Sequence, residues 1–466
     1  MDFSALTALS PLDGRYTAKL EALRPIASEF GLIRFRLTVE IRWLLTLAEI
    51  PELTQLPPLD DDARQFLENL IRQFDLTAAQ EIKQIEQTTH HDVKAIEYYL
   101  INKFKTNSKL EKLIPFIHFG CTSEDINNLA YGLMLSQIRE EVLLPAMQAI
   151  VDQLSAMAQE YSAVPMLART HGQPASPTTL GKELANVIAR LARQIQIWEQ
   201  LPIFGKFNGA VGNFNAHFAA APEIDWPTLS DRFIAQLGLM PNPFTTQIEP
   251  HDNLAELLQT LIRFNTILID LNRDIWGYVS LGYFVQKKVE AEIGSSTMPH
   301  KINPIDFENS EGNLGLANAL AAHLAEKLPI SRWQRDLSDS TVLRNLGAVA
   351  GYALIAYQAT LQGLKKLTVN TARLEHDLNQ HPEVLAEAIQ TVLRRYGVSD
   401  AYEQLKSLTR GKVIDQAALH HFIEHLNLPT DVKQRLQALT PDKYTGYAAY
   451  LTQKALIIPS PSQGEG

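Results

Sequence analysis

A single cysteine, Cys121, occurs in 466 residues. One thiol forms neither an intrachain disulfide nor a thiolate metal cluster, which excludes a small stapled scaffold and fits a reducing compartment. Positive charge is also in deficit: 42 Lys and Arg face 52 Asp and Glu. The formal net charge of −10 argues against sequence-independent binding to nucleic acid, although a local cationic pocket for a small anion remains compatible with it. MDFSALTALSPLDGRY lacks a basic head followed by an apolar stretch, and its Asp2 and Asp13 suit no targeting peptide, so a cytoplasmic location is expected. Long apolar runs are scarce. The most apolar one, Leu346 to Leu364, contains Gln358 and Gln362 in an amphipathic pattern and reads as a buried helix rather than a membrane span. HExxH, GxGxxG and P-loop motifs are missing, and neither a metal nor an organic cofactor is expected.

What is present is a 45% apolar fraction, ample for a large core. Apolar residues recur at three- and four-residue intervals around 24–49, 60–74 and 92–104, with Asp60 to Asp62 as possible N-caps. Longer patterns follow, from about Thr122 through Met157, Leu180 to Trp198, Leu254 to Ile275, Phe307 to Leu328 and Ser338 to Leu367. Thr122 and Asp125 stand at capping-box spacing. Helices of such length bury continuous apolar faces by sharing them in a bundle, so an all-α fold is expected. The expected division is an N-terminal helical domain over 1–110, a central long-helix bundle over 111–368 and a C-terminal helical domain over 369–466. Shorter patterns around 383–396, 399–408, 415–426 and 430–438 occupy the last, before a polar, flexible tail, SPSQGEG. Turn-rich connections lie at 169–177, 207–217 and 238–250.

The clearest chemical anomaly is EIGSSTMPHKINPIDFENSEGN, residues 292–313, between two long helices. Ser295 and Ser296 suit a turn or a helix cap, and Lys301 a solvated surface; equally, hydroxyls, backbone amides and one cation suit an anion-binding loop. His171 lies in a Gly/Pro-rich segment where histidines often serve backbone groups. His90 and His91 are adjacent and share no helix face, so they are poor metal ligands; Asp92 beside them fits a cap or an orienting carboxylate.

GSSTMPHKINP, Gly294 to Pro304, resembles the signature loop of the fumarase/aspartase superfamily, and the adjoining IDFENSEGNLG is similar to bacterial adenylosuccinate lyases. The resemblance extends through SPLDGRY at 10–16, TTHHDVKAIEYY at 88–99, CTSEDINN at 121–128, RTHGQPASPTTLGKE at 169–183 and RWQRDLSDSTVLRN at 332–345. It covers most of the chain, and the C-terminal region is the least diagnostic part.

The resemblance implies a fumarase/aspartase-like long-helix bundle with smaller helical domains at both ends, working as a homotetramer whose active sites combine loops of different subunits. It implies carbon–nitrogen elimination of fumarate from succinylated, nucleotide-like substrates, with Ser295 as base and His171 as acid. Nearby amides and Lys301 would stabilise the serine alkoxide, and Asn303 would bond a substrate carboxylate. Arg15 and Tyr16 resemble the family's nucleotide-binding pair. His90, His91, Asp92, Gln247, Ser296, Asn309, Arg335, Ser340, Thr341 and Arg344 are the further implied substrate contacts. Thr122 and Ser123 resemble contacts to the fumaryl carboxylate, and the capping pattern at the same spot stays open beside that role. Argininosuccinate lyase, aspartase and fumarase share the loop and are the nearest alternatives. A helical structural protein with a lyase-like fold is the alternative outside enzymes. Neither nucleic acid nor membrane is an expected partner.

Overall fold

The computed structural model describes residue 2 and residues 4–287, 297–298, 300–409 and 415–457. Ser295, Ser296 and the polar tail at 460–466 lie outside the described residues. The chain is mostly helical, as its periodicity predicts, with three two-stranded pairings among the described residues.

Local chemistry explains where the helices depart from the apolar pattern. The stretch expected at 24–49 splits into Arg24–Ala27 and Glu29–Leu47, because Ser28 turns extended and its side chain accepts from the Gly31 N–H. Leu76–Thr89 is an unforeseen helix with a short apolar stripe, started by Asp75 accepting from the Ala78 N–H at 2.8 Å. Ser123–Gln137 continues through a π-helical turn, Ile138–Leu143, into Leu144–Glu160. The widened turn lies just where the Pro145 ring would strike the carbonyl four residues back. The long pattern from 338 breaks into Ser338–Leu343 and Leu346–Lys366, where the Asn345 side chain caps carbonyls of the first piece. The segment at 169–177, expected as an irregular connection, is instead largely a β-hairpin, Pro165–Thr170 with Gln173–Thr179.

The chain divides into two compact units, residues 1–147, 196–266 and 312–357, and residues 148–195, 267–311 and 358–466. In the first, Trp43 packs against Phe207 and Phe233 with ring centroids 4.4 and 5.2 Å away, and its Nε1 donates to Phe119 O at 2.9 Å. Leu135, Leu143, Trp198, Leu257, Leu261 and Val349 line a cavity of about 20 Å³ in this core. Asn265 accepts from the Tyr357 hydroxyl at 2.5 Å and donates to Asn318 at 2.9 Å, satisfying polar groups between long helices.

In the second unit, Asn272, Ser310 and Thr360 form a buried polar triangle, with the Asn272 amide donating to Ser310 Oγ at 2.9 Å and the two hydroxyls 2.7 Å apart. Its C-terminal helices, Ala386–Arg395, Ala401–Thr409, Gln416–Glu424 and Thr430–Gln437, follow the predicted short patterns and bury Leu393, Leu405, Ile423 and Val432 together. No helix among the described residues is long and apolar enough to cross a membrane.

Candidate active site

In the first unit, the TTHHD segment turns sharply between two helices. His90 ends Leu76–Thr89 in the left-handed region, φ 52°, and His91 caps Asp92–Lys105, its Nδ1 accepting from the Lys94 N–H at 3.2 Å. Nδ1 as acceptor places the proton on Nε2, so the exposed His91 ring presents a donor outward. The cap is therefore His91 and not Asp92. The Asp92 carboxylate lies 2.7 Å from Arg36 and 3.4 Å from Arg344. Burial opposes its charge, but Arg36, the Val93 N–H and Arg344 together hold it below the usual carboxylate range. Arg344 also reaches Glu29 at 3.1 Å and borders a cavity of about 430 Å³ walled by Ser10, Asp13, Arg24 and Ser28. Arg15, exposed, and Tyr16, half-buried, follow that wall in sequence without forming part of it.

A second cluster surrounds the start of Ser123–Gln137. Thr122 and Asp125 form the anticipated capping box, with the Thr122 N–H donating to Asp125 Oδ2 at 2.7 Å. The half-buried Ser123 begins the helix, where free amides and the helix dipole favour an anion. Glu124 is buried, and that burial pushes its carboxyl up despite Arg335 at 3.0 Å. Arg335 also donates to Gln247 Oε1 at 3.2 Å, so these two site candidates meet directly. Ser340 and Thr341 sit on Ser338–Leu343; the Ser340 N–H donates to Asp339 Oδ1 at 2.7 Å. Asp339 faces His251 Nε2 at 3.8 Å. Burial again opposes its charge, and His251 with the Ser340 N–H more than offsets this, leaving the carboxyl lowered.

In the second unit, His171 occupies the tip of the hairpin. It and Gly172 are the two residues between the closing pair Thr170↔Gln173, and both have left-handed backbone, φ 53° and 72°. A two-residue turn of the primed type needs this geometry, which matches the strand twist. The turn leaves the imidazole exposed. Lys301 is exposed and Asn303 half-buried, while Asn309 is half-buried on Ile305–Lys327. The structure thus joins Asp92 to Arg344 and Gln247 to Arg335, and sets His171 on its own projection.

Several members of these clusters escape sequence reasoning. Arg36 is 2% exposed and donates to Asn127 at 2.7 Å as well as to Asp92. Its signal was a cation on the apolar face of LIRFRLTVEIRWLL, which needs a buried partner. Glu124, His251 and Asp339, with Lys206 paired to Asp125 at 2.9 Å, are likewise fixed by tertiary partners and not by a local sequence pattern. Among the described residues, no group of three or more His, Cys, Asp and Glu side chains is placed to hold a metal ion.

The family matches place this fold and its charged loops among lyases of the fumarase/aspartase type. Residues 14–319 match the family model described as Lyase, and residues 331–445 the one described as Adenylosuccinate lyase C-terminal. The fold is shared with a fumarate lyase from Mesorhizobium sp. BNC1, at 18% identity and TM-score 0.74 over 93% of this chain and 97% of that one. It is shared equally with the 3-carboxy-cis,cis-muconate lactonizing enzyme from Pseudomonas putida, at 22% identity and TM-score 0.72 over 93% and 96%. Adenylosuccinate lyases of Haemophilus influenzae and Escherichia coli K12 are each 56% identical, over 97% and 96% of this chain and 100% and 98% of their own. The chain belongs to the adenylosuccinate lyase family.

Proposed function

We propose that the protein eliminates fumarate from adenylosuccinate to give AMP, and from succinylaminoimidazole carboxamide ribotide (SAICAR) to give the aminoimidazole carboxamide ribotide (AICAR), both steps of purine nucleotide synthesis. The observation that carries this reading is the 56% identity, over nearly the whole chain, with relatives named adenylosuccinate lyase. In the reaction Ser295 removes a proton from the succinyl carbon next to the one bearing nitrogen. The electron pair is held as a carbanion delocalised into the adjoining carboxylate. It then forms the fumarate double bond as the carbon–nitrogen bond breaks, and the departing nitrogen takes a proton from His171. An exposed imidazole on a narrow hairpin suits a donor that must reach a leaving group.

Substrate anions fall to the cationic groups. Arg344, Ser340 and Thr341, with Arg15 and Tyr16, serve the phosphate end; Thr122, Ser123, Lys301 and Asn303 serve the succinyl carboxylates; His90, His91, Asp92, Gln247, Ser296, Asn309 and Arg335 complete the contacts. We further propose a homotetramer in the cytoplasm, with sites assembled from several subunits; the exposed apolar side chains Leu316, Trp276 and Ile305 on the long helices would supply apolar surface to such an assembly. Full activity and unchanged kinetic constants of a stable monomer would reject the assembly requirement.

The test is to supply purified protein separately with adenylosuccinate, argininosuccinate, aspartate and malate. Selective release of AMP and fumarate from the first supports the proposal. A folded, assembled protein inert toward adenylosuccinate overturns it.

A further inference from the structure

The hairpin that carries His171 is short, and a two-stranded ribbon alone is only marginally stable in water. Two of its side-chain anchors come from the C-terminal part of its own unit. On the first strand, Arg169 stands one pair below the closing Thr170↔Gln173 pair, and its Nη2 lies 2.6 Å from Asp377 Oδ2. The same carboxylate oxygen accepts the Tyr283 hydroxyl. On the second strand, the register shifts between Met166↔Thr178 and Ala168↔Ala175, which leaves Ser176 and Pro177 opposite Leu167. Such a bulge re-aims a side chain, and the Ser176 hydroxyl donates to Glu387, whose Oε2 also accepts from Tyr444 at 3.0 Å. Beneath these polar anchors, Leu167, Leu378 and Val384 form a small buried cluster. Asp377 thus grips the first strand and Glu387 the second, Thr178 at the far end of the second strand bonds Glu183 at 3.0 Å, and the tip beyond Arg169 has no side-chain anchorage from Asp377 or Glu387.

We propose that Asp377, seconded by Glu387, is a positioning residue for proton donation: by fixing Arg169 and Ser176, the two carboxylates set where the His171 imidazole meets the leaving group. The inference rests on the reading of His171 as the acid. Asp377 touches Arg169 and Tyr283, and its effect reaches the chemistry through the strand. A general acid must stand within hydrogen-bond reach of its target, and a misplacement of about 1 Å costs roughly 100-fold in rate. Substrate binding draws on many other contacts, so the loss belongs in kcat.

The test uses the full-length enzyme and fumarate release from adenylosuccinate. Asp377→Asn keeps the side-chain shape and removes the charge that holds Arg169. Its kcat should fall by about 10- to 100-fold with KM within about threefold of wild type. In a His171→Ala background the same substitution should cost less than about twofold, because the group being positioned is gone. Losses that multiply in the double variant overturn action through His171, as does wild-type kcat in Asp377→Asn. If Asp377→Asn does not fold, Glu387→Gln and Tyr283→Phe apply the same two criteria from the second strand and from the shared carboxylate. Failure of the underlying reading looks different: His171→Ala would itself retain wild-type kcat.

Discussion

Lys206 Nζ and Asp125 Oδ1 lie 2.9 Å apart with neither side chain exposed to solvent. Asp125 uses its other oxygen for the Thr122 N–H, while Oδ1 also takes the N–H groups of Asn208 and Gly209. Lys206 gives further protons to the carbonyls of Gly209 and Gln247, at 2.9 Å each. One buried ion pair therefore binds the helix start carrying Thr122 and Ser123, the FNGAVGN loop and the segment carrying Gln247. Each charge has its full complement of partners, which is the condition under which burial of ions is tolerated.

Asp125→Asn should destabilise the protein by about 3–5 kcal/mol, since it leaves the Lys206 ammonium buried without a counter-charge. Urea denaturation measures this. Adding Lys206→Met to Asp125→Asn should recover part of the loss; a single variant within about 1 kcal/mol of wild type would remove the pair from its organising role.

His118 Nδ1 sits 2.6 Å from Glu40 Oε1, in the loop that leads to Thr122. Burial acts to lower the imidazole pKa, but the Glu40 charge and hydrogen bond, with help from Glu97, raise it above its ordinary value. A raised folded-state value means this contribution to stability is complete below the unfolded value of about 6.5 and is lost as pH rises through the folded value. The stability advantage of wild type over Glu40→Gln should therefore be larger at about pH 6 than at about pH 9. Equal differences at both ends would contradict the assignment.

Gly120 has φ +74°, and a Cβ there would stand 2.5 Å from the His217 ring. That ring has no room to retreat, boxed by Trp226, Phe214 and Trp43 with centroids 4.9, 5.6 and 6.3 Å away. Gly120→Ala should cost about 2–4 kcal/mol, the sum of left-handed strain and overpacking, read as a fall in Tm. Gly172→Ala, where nothing lies within 4 Å of the added carbon, should cost only the backbone strain, about 1 kcal/mol.

Arg344→Lys preserves charge but loses the planar fork that reaches Asp92 and Glu29 together and would grip a phosphate with two parallel bonds. KM for adenylosuccinate should rise by about tenfold or more, with a smaller change in kcat. An unchanged KM would move the phosphate away from Arg344.

The helical architecture was legible because its determinants are local. Asp60 accepts from the Ala63 N–H at 2.9 Å as the cap of Asp61–Arg72, and Thr122 with Asp125 forms the box their spacing implies. The hairpin at His171 was not, because RTHGQPASP has the Gly and Pro content of a loop, and its pairing becomes visible only as a register between strands. Arg335 and Arg344 were legible as cations near the site. Their actual partners, Glu124 at sequence separation 211 and Asp92 at 252, follow from tertiary packing alone. In a chain with an overall surplus of acid, both candidate anion-binding arginines are held by carboxylates, Arg335 by Glu124 and Arg344 by Glu29 and Asp92.

The elimination itself is measured by mixing the full-length protein with adenylosuccinate and quantifying AMP and fumarate over time. The two products are expected in equal amounts, with kcat lowered by about 100-fold or more in His171→Ala while substrate still binds. Wild-type protein, folded and assembled, that releases neither product would contradict it.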